Sequence, residues 1–411
     1  EFPGLTPNLK VLASKSLDFT NISQVGATGW TIAGMVASQC GFPLITTGSG
    51  GNSMRDVPKF LPGAKCLGDV LASEGYQLEF MGGADPYFAG KGKFLKDHGF
   101  SKVQGFSDLS PNLSDALYRS DWGLFDDSLF SFASKRYHEL VKINKPFGLF
   151  LLTLDTHHPV GHIPKSCQGY EYGDGQNEIL NAVYCSDKLI SEFIDSLDNE
   201  DTLVVIASDH LAMRNTASDR LQKQDRKNLL LFYWPSRLRN SINARADGTF
   251  SSGVTALDIM GFKIEGIGLG RSLLGMSSTL LEKIPNPENV ISSWEEELRK
   301  LWQIPKGPVS IEVDPVAQNV TISSIQYHFP IIIDISKANE QVRMFFEDAD
   351  DPLSSVIIRL GSESRSVWFD RCDLVNSVFD KRTPGDPHKV CIWDDGVQKV
   401  TVIDRLKEYK L

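Results

Sequence analysis

Hydrophobic and polar positions follow two periods along the first 275 residues. The stretch "SLDFTNISQ" (16–24) reads as β-like. After a glycine-framed turn, Ile32, Ala33, Val36, Ala37 and Cys40 recur at helical spacing. The runs "FGLFLLTL" (147–154) and "LVVIAS" (203–208) are continuously apolar, which predicts strands buried on both faces of a parallel sheet. Between them, Leu189, Ile190, Phe193, Ile194 and Leu197 predict a helix over 179–197; further helices are predicted at 67–74 and 127–143. Strand, helix and strand at this spacing predict an α/β/α sandwich with a mostly parallel central sheet. Residues 290–302, "VISSWEEELRKLW", read as an amphipathic helix that "IPKGP" breaks. After Pro308 the pattern changes to short β-prone runs: "VSIEV", "NVTISSI", "FPIIIDIS", "SVIIRL", "SVWFD" and "KVTVI". These predict two domains, a larger one over 1–305 and a small β-rich one over 306–411. The alternative is that the second region extends the main sheet.

Composition narrows the function classes. The chain has 411 residues, 41% hydrophobic and 23% charged, which is ordinary for a folded protein. Its formal charge of −10 argues against a nucleic-acid partner, since no basic surplus exists to neutralise phosphates. No apolar run reaches membrane-spanning length. Six cysteines fall in three sequence-local pairs, suggesting Cys40–Cys66, Cys167–Cys185 and Cys372–Cys391 bridges. Six buried thiols in a cytosolic protein are the alternative.

Candidate chemistry collects where the apolar strands end, the edge of an α/β sheet at which ligands bind. Thr28 lies between Gly26 and Gly29 at a strand-to-helix turn. It serves either as a helix cap or as a nucleophile beside a helix N-terminus that favours anions. Asp209-His210 follows the second apolar strand; an acid and an imidazole suit a borderline divalent ion, whereas a surface turn is the plain reading. In "DTHHPVGH", His157 or His158 suits a metal or a phosphate oxygen, with Asp155 orienting one of them. Lys91 stands among glycines beside Phe88, without the order of a phosphate-binding loop; a surface lysine is its default reading. Asp121, Trp122, Asp126 and Asp127 lie where the 127–143 helix starts, and the acids suit helix capping. Arg214 and Asn215 face the same pocket or pair on the surface. A hydroxyl, an Asp-His pair and a second histidine suit phosphoryl or sulfuryl transfer through a threonine ester. No GxSxG elbow supports a serine hydrolase.

The segments "GATGWTIAGMVASQCG", "FAGKGKFLKDHGF", "DWGLFDDS", "LTLDTHHP", "SDHLAM" and "KQDRKNLLLF" together resemble the phosphoglycerol transferase I family. That family is similar in its catalytic domain to lipoteichoic acid synthase and to lipid A phosphoethanolamine transferases, all within the alkaline phosphatase and sulfatase superfamily. The resemblance spans roughly residues 2–275 densely and the remainder more loosely. It implies an alkaline-phosphatase-like fold and transfer of phosphoglycerol from phosphatidylglycerol to a periplasmic β-glucan, on the periplasmic face of the inner membrane. It implies Thr28 as nucleophile and metal ligand, with Asp209 and His210 binding the same divalent ion (manganese, magnesium or zinc). His157 then contacts the phosphate. Lys91, with Phe88 beside it, is the nearest match to a family arginine, and Trp122 lines the headgroup pocket. By the same resemblance, this chain starts beyond the family's first strand, its glutamate ligand and its amino-terminal membrane helices; Glu1 does not take the glutamate's place. The rivals are another enzyme of the superfamily and a catalytically dead glucan- or lipid-binding module. A sulfatase would carry a CxPxR-type stretch, which Thr28-Gly29-Trp30 is not.

Overall fold

The computed structural model describes residues 2–48, 52–197, 200–304, 310–348, 351–361 and 363–410. The chain forms two compact units, and they are interleaved in sequence. The first comprises Glu1–Leu44, Ala64–Pro86 and Leu95–Glu295; the second comprises Ile45–Gly63, Tyr87–Phe94 and Glu296–Leu411.

In the first unit, the strands are β1 Leu17–Phe19, β2 Ile22–Ser23, β3 Gln77–Gly82, β4 Lys102–Gln104, β5 Phe147–Leu152, β6 Val204–Ala207, β7 Leu230–Tyr233, β8 Ser241–Asn243 and β9 Asp247–Gly248. The α/β class is as expected. The sheet, however, comes in pieces. β4-β3-β5 is all parallel, β6-β7-β1-β8 is mixed, and β2 pairs with β9 in parallel.

The two apolar runs are therefore not strands buried on both faces. Among the described residues β5 pairs only with β3, and β6 only with β7. Every residue of β5 stays half-buried, and Val205 of β6 is 42% exposed. An apolar strand is clothed by neighbours and covering helices, and each of these has a neighbour on one side only.

Helices form where the period predicted them. Thr31–Cys40 buries Ile32, Ala33, Val36, Ala37 and Cys40 completely, and ends at Gly41 in the left-handed region (φ 70°), where a side chain would be strained. Leu67–Ser73, Asp126–Ile143 and Glu178–Asp195 match the other expectations. Asn177 caps the last of these through its side chain. The 290–302 segment is not one helix but three short pieces, Glu288–Ser293, Glu295–Arg299 and the 3-10 turn Lys300–Trp302. Part of "IPKGP" lies outside the described residues.

The second unit holds two antiparallel sheets. One is ordered β12-β11-β10-β18, from β10 Ser310–Asp314, β11 Asn319–Ile322, β12 Ile325–His328 and β18 Lys407–Lys410. The other is ordered β14-β13-β15-β16-β17, from β13 Ile331–Ser336, β14 Val342–Phe346, β15 Ser364–Arg371, β16 Val390–Asp394 and β17 Lys399–Ile403. One expected strand is a helix: "SVIIRL" lies in Leu353–Arg359, whose Leu353, Val356 and Ile357 pack on Ile332 and Trp368. The i, i+3, i+4 spacing of those residues decides against a strand once Pro352 opens the helix.

All three expected disulfides are present: Cys40–Cys66, Cys167–Cys185 and Cys372–Cys391. The first ties the end of the Thr31–Cys40 helix to the start of Leu67–Ser73. Among the described residues no helix is long and apolar enough to cross a membrane.

Candidate active site

β2 ends at Ser23, and the chain turns through Val25, Gly26, Ala27 and Thr28 before the Thr31–Cys40 helix. The Thr28 amide donates to the Val25 carbonyl at 3.3 Å, closing the turn. Ala27 takes φ 59°, a conformation rare outside glycine and frequent at functional sites. Thr28 does not cap the helix. The cap residue is Trp30, and the Thr28 hydroxyl donates to the Val25 carbonyl at 2.6 Å while accepting from the Val25 amide at 3.3 Å. The residue is 2% exposed.

Asp209 and His210 follow β6. The His210 Nδ1–H donates to the Leu211 carbonyl at 2.8 Å, which leaves Nε2 as the lone-pair nitrogen of the neutral ring. That Nε2 lies 3.4 Å from Asp209 Oδ2. Two ligands on one ion, at bonds of about 2.0–2.2 Å and tetrahedral angles, stand about 3.4 Å apart. The pair therefore fits a single divalent ion; it equally fits an ion pair if the ring is protonated. Among the described residues, no third His, Cys or carboxylate ligand atom joins this pair within 4.8 Å. Glu1 lies outside the described residues.

The Thr28 segment and the Asp209 loop touch directly. A Cβ on Gly34 would strike the Asp209 carbonyl oxygen and come within 2.7 Å of its carbonyl carbon. Gln24 Oε1 accepts from the Leu211 amide at 2.7 Å. The Gly26 amide donates to Glu288 Oε1 at 3.0 Å. None of Gln24, Gly34 and Glu288 stood out in the sequence. A glycine on the buried face of an otherwise apolar helix was the one available signal, since it marks a close approach.

The histidine loop after β5 is tied to the segment beyond His210, where the Thr216 amide donates to the Pro159 carbonyl at 3.3 Å. Burial holds the His157 imidazole below its ordinary value, and His158, His162 and His210 add repulsion. His157 Nδ1–H donates to the His158 carbonyl at 2.8 Å, so its Nε2 is also the lone-pair nitrogen. Its ring lies between Trp122 and His158, with centroids 4.4 Å from each. Trp122 is 46% exposed. Burial also holds His162 below its ordinary value, with Asp121 opposing.

Asp155 does not orient a histidine. Its Oδ2 accepts from the Asp126 amide at 2.9 Å. Asp126 returns the contact: Oδ1 accepts from the Leu154 amide at 2.7 Å and Oδ2 from the Asp155 amide at 3.2 Å. So Asp126 does not cap its helix either; Phe125 is the cap residue, and the carboxylate reaches back to the end of β5. Both acids are fully buried. Burial pushes both carboxyls up, and the Asp126 charge pushes Asp155 further. Asn215 spends its side chain locally, on the Met213 carbonyl and the Ala217 amide.

Lys91 and Phe88 belong to the second unit. Lys91 is not a surface lysine: it is 4% exposed, with Nζ 4.9 Å from the Phe88 ring centre.

The sulfatase family model matches residues 2–260, and a model described as phosphoglycerol transferase I, middle domain, matches residues 309–410. Phosphoglycerol transferase I of Salmonella newport is 38% identical over 90% of this chain and 49% of its own length. That of Escherichia fergusonii is 37% identical with the same coverage. The chain thus spans about half the length of these relatives. Two solved structures share the fold. Lipoteichoic acid synthase LtaP from Listeria monocytogenes has a TM-score of 0.54 at 18% identity, over 66% of this chain and 69% of that one. An alkaline phosphatase superfamily protein from Vibrio parahaemolyticus has a TM-score of 0.53 at 19% identity, over 84% of this chain and 74% of that one. With more than half its length in that one model, the chain belongs to the sulfatase family.

Proposed function

We propose that the chain carries the catalytic centre of a phosphoglycerol transferase, with phosphatidylglycerol as donor and a periplasmic β-glucan as acceptor. The similarity to phosphoglycerol transferase I over nine tenths of the chain supports the chemistry. The 3.4 Å Asp209–His210 spacing, with the His210 Nε2 lone pair beside the carboxylate, is the observation that supports putting it there. Three disulfides suit an oxidising compartment such as the periplasm.

Asp209, His210 and Thr28 would hold the divalent ion, manganese, magnesium or zinc. When bound, it lowers the pKa of a hydroxyl and neutralises charge on a phosphoryl group. For attack, the Thr28 hydroxyl turns away from Val25, giving up hydrogen bonds worth about 1 kcal/mol each. Thr28 Oγ1 bonds to phosphorus, the phosphorus–oxygen bond to diacylglycerol breaks, and the proton ends on diacylglycerol. A glucan hydroxyl then attacks the threonine ester; the bond to Oγ1 breaks and Thr28 recovers a proton. His157, whose Nε2 carries the lone pair, accepts the acceptor's proton, which then passes to Thr28. Trp122, whose ring meets that of His157 at a 37° tilt, lines the headgroup pocket.

A second reading, a glucan- or lipid-binding chain without turnover, is favoured by one observation: Thr28 is 2% exposed with its hydroxyl turned into its own turn. Headgroup transfer from labelled phosphatidylglycerol to a β-glucan decides between them. The transferase reading expects manganese-dependent transfer that Thr28→Ala abolishes with the circular dichroism spectrum unchanged. Transfer at the wild-type rate in Thr28→Ala overturns it, and glucan or lipid binding without transfer selects the second reading.

A further inference from the structure

Segment 24–34 grips segment 209–211 at two points, one on each side of Thr28. The first is the Gln24 side chain. Its Oε1 accepts from the Leu211 amide at 2.7 Å. Leu211 is also the residue whose carbonyl accepts from His210 Nδ1–H at 2.8 Å. Gln24 thus holds the same residue that holds the imidazole. Its Nε2 lies over the turn, 2.9 Å from where a Cβ on Gly29 would sit. The second grip is Gly34. The atoms that a side chain there would meet are the Asp209 carbonyl oxygen, carbonyl carbon (2.7 Å) and Cα (3.1 Å), all backbone, so no rotamer change makes room.

Resting on the proposed metal-dependent reading, we infer that Gln24 is the positioning residue for the ion-binding pair. Through the Leu211 backbone it sets the His210 tautomer and ring orientation and holds that loop to the Thr28 turn. Gly34 sets the spacing between the two. The Gln24 contact with this loop is to the Leu211 backbone amide. Its effect reaches the site through Leu211, as outer partners of metal-binding histidines act by fixing which nitrogen faces the metal.

The chemistry separates this role from plain loop bracing. Gln24→Leu keeps the volume and removes the acceptor. Gln24→Glu restores an acceptor oxygen for the Leu211 amide. Two readouts are used on the full chain. The first is the 15N spectrum of the His210 ring in metal-free protein at fixed pH, which reports which nitrogen carries the hydrogen. The second is manganese titration followed by electron paramagnetic resonance. The inference expects a single Nδ1–H tautomer in the wild type, a mixture in Gln24→Leu, and recovery in Gln24→Glu. It expects Gln24→Leu to bind manganese about 10–100-fold more weakly. Gly34→Ala is expected to weaken manganese binding as well; should that variant not fold, the Gln24 pair carries the test alone.

The controls keep the two levels apart. If neither the wild type nor Asp209→Asn binds manganese, the metal-dependent reading fails, while the tautomer comparison still decides the role of Gln24. If the wild type binds and Asp209→Asn does not, yet Gln24→Leu matches the wild type in affinity and tautomer, the inference is overturned.

Discussion

Two sets of apolar strands meet opposite fates in this protein. In the second unit β13 is paired on both sides, by β14 and β15, and Ile331, Ile332 and Ile333 are fully buried. In the first unit β5 and β6 are just as apolar, but each pairs on one side among the described residues, and each remains half-exposed. Composition tells that a strand favours cover, not that it has it. The candidate site hangs from the less covered strands: His157 follows β5, and Asp209 and His210 follow β6. Specific polar ties hold the loops of the candidate site, such as Gln24 to Leu211 and the Asp126–Asp155 clasp.

The contrast is sharpened first by truncation. Ile332→Ala removes a fully buried side chain from the middle of its sheet and is expected to destabilise the second unit by about 2–5 kcal/mol. Val205→Ala on β6 removes a side chain already 42% exposed and is expected to cost under about 1 kcal/mol in the first unit. Urea unfolding followed separately for each unit checks both; equal losses would break the comparison.

Next comes hydrogen exchange. Amides of β5 and β6 not bonded to β3 or β7 are expected to exchange at least about tenfold faster than those of β13, since local opening there exposes little that was buried. Equal protection would show the open edges to be covered in solution.

The Asp126–Asp155 clasp gives a pH dependence. Both carboxyls are raised in the folded chain, chiefly by burial, so the folded state holds more protons than the unfolded one above the ordinary carboxylate range. Stability of the first unit is therefore fullest at or below that range and falls as pH rises through the raised folded values. Asp155→Asn, which keeps an oxygen for the Asp126 amide and cannot ionise, is expected to flatten that fall. Urea midpoints at acid and neutral pH measure it, and an unchanged slope in the variant would contradict the assignment.

The smallest effect is at Ala27, held at φ 59°. Ala27→Gly relieves about 1–2 kcal/mol of left-handed strain and loses about 0.4–1 kcal/mol to the freer unfolded chain. A slight rise in melting temperature is expected; a fall would mean the turn is not strained.

Much of the fold was legible because its causes are local. The helical periods of 31–40, 126–143 and 178–195 and the sequence-local cysteine pairs needed only short windows. That Thr28, His157 and Asp209-His210 each follow a strand was legible from the apolar runs, but β2, β5 and β6 belong to three separate sheets, so one parallel edge is not what relates them. What escaped depends on distant partners. "SVIIRL" became a helix because Pro352 starts one and Trp368 and Ile332 receive its face. Lys91 is buried because residues 87–94 fold with the second unit. Asp126 turned from its own helix to a strand end 28 residues away. The Thr28 hydroxyl faces Val25, a rotamer that no spacing rule reports.

The most direct test of the central claim is to look for the ester itself. The chain is incubated with phosphatidylglycerol and manganese without acceptor, quenched in acid, digested and examined by peptide mass spectrometry. A phosphoglyceryl group on Thr28 is expected, lost when β-glucan is added before quenching and absent in Thr28→Ala. Transfer to glucan that proceeds with Thr28 unmodified, or unchanged in Thr28→Ala, would contradict it.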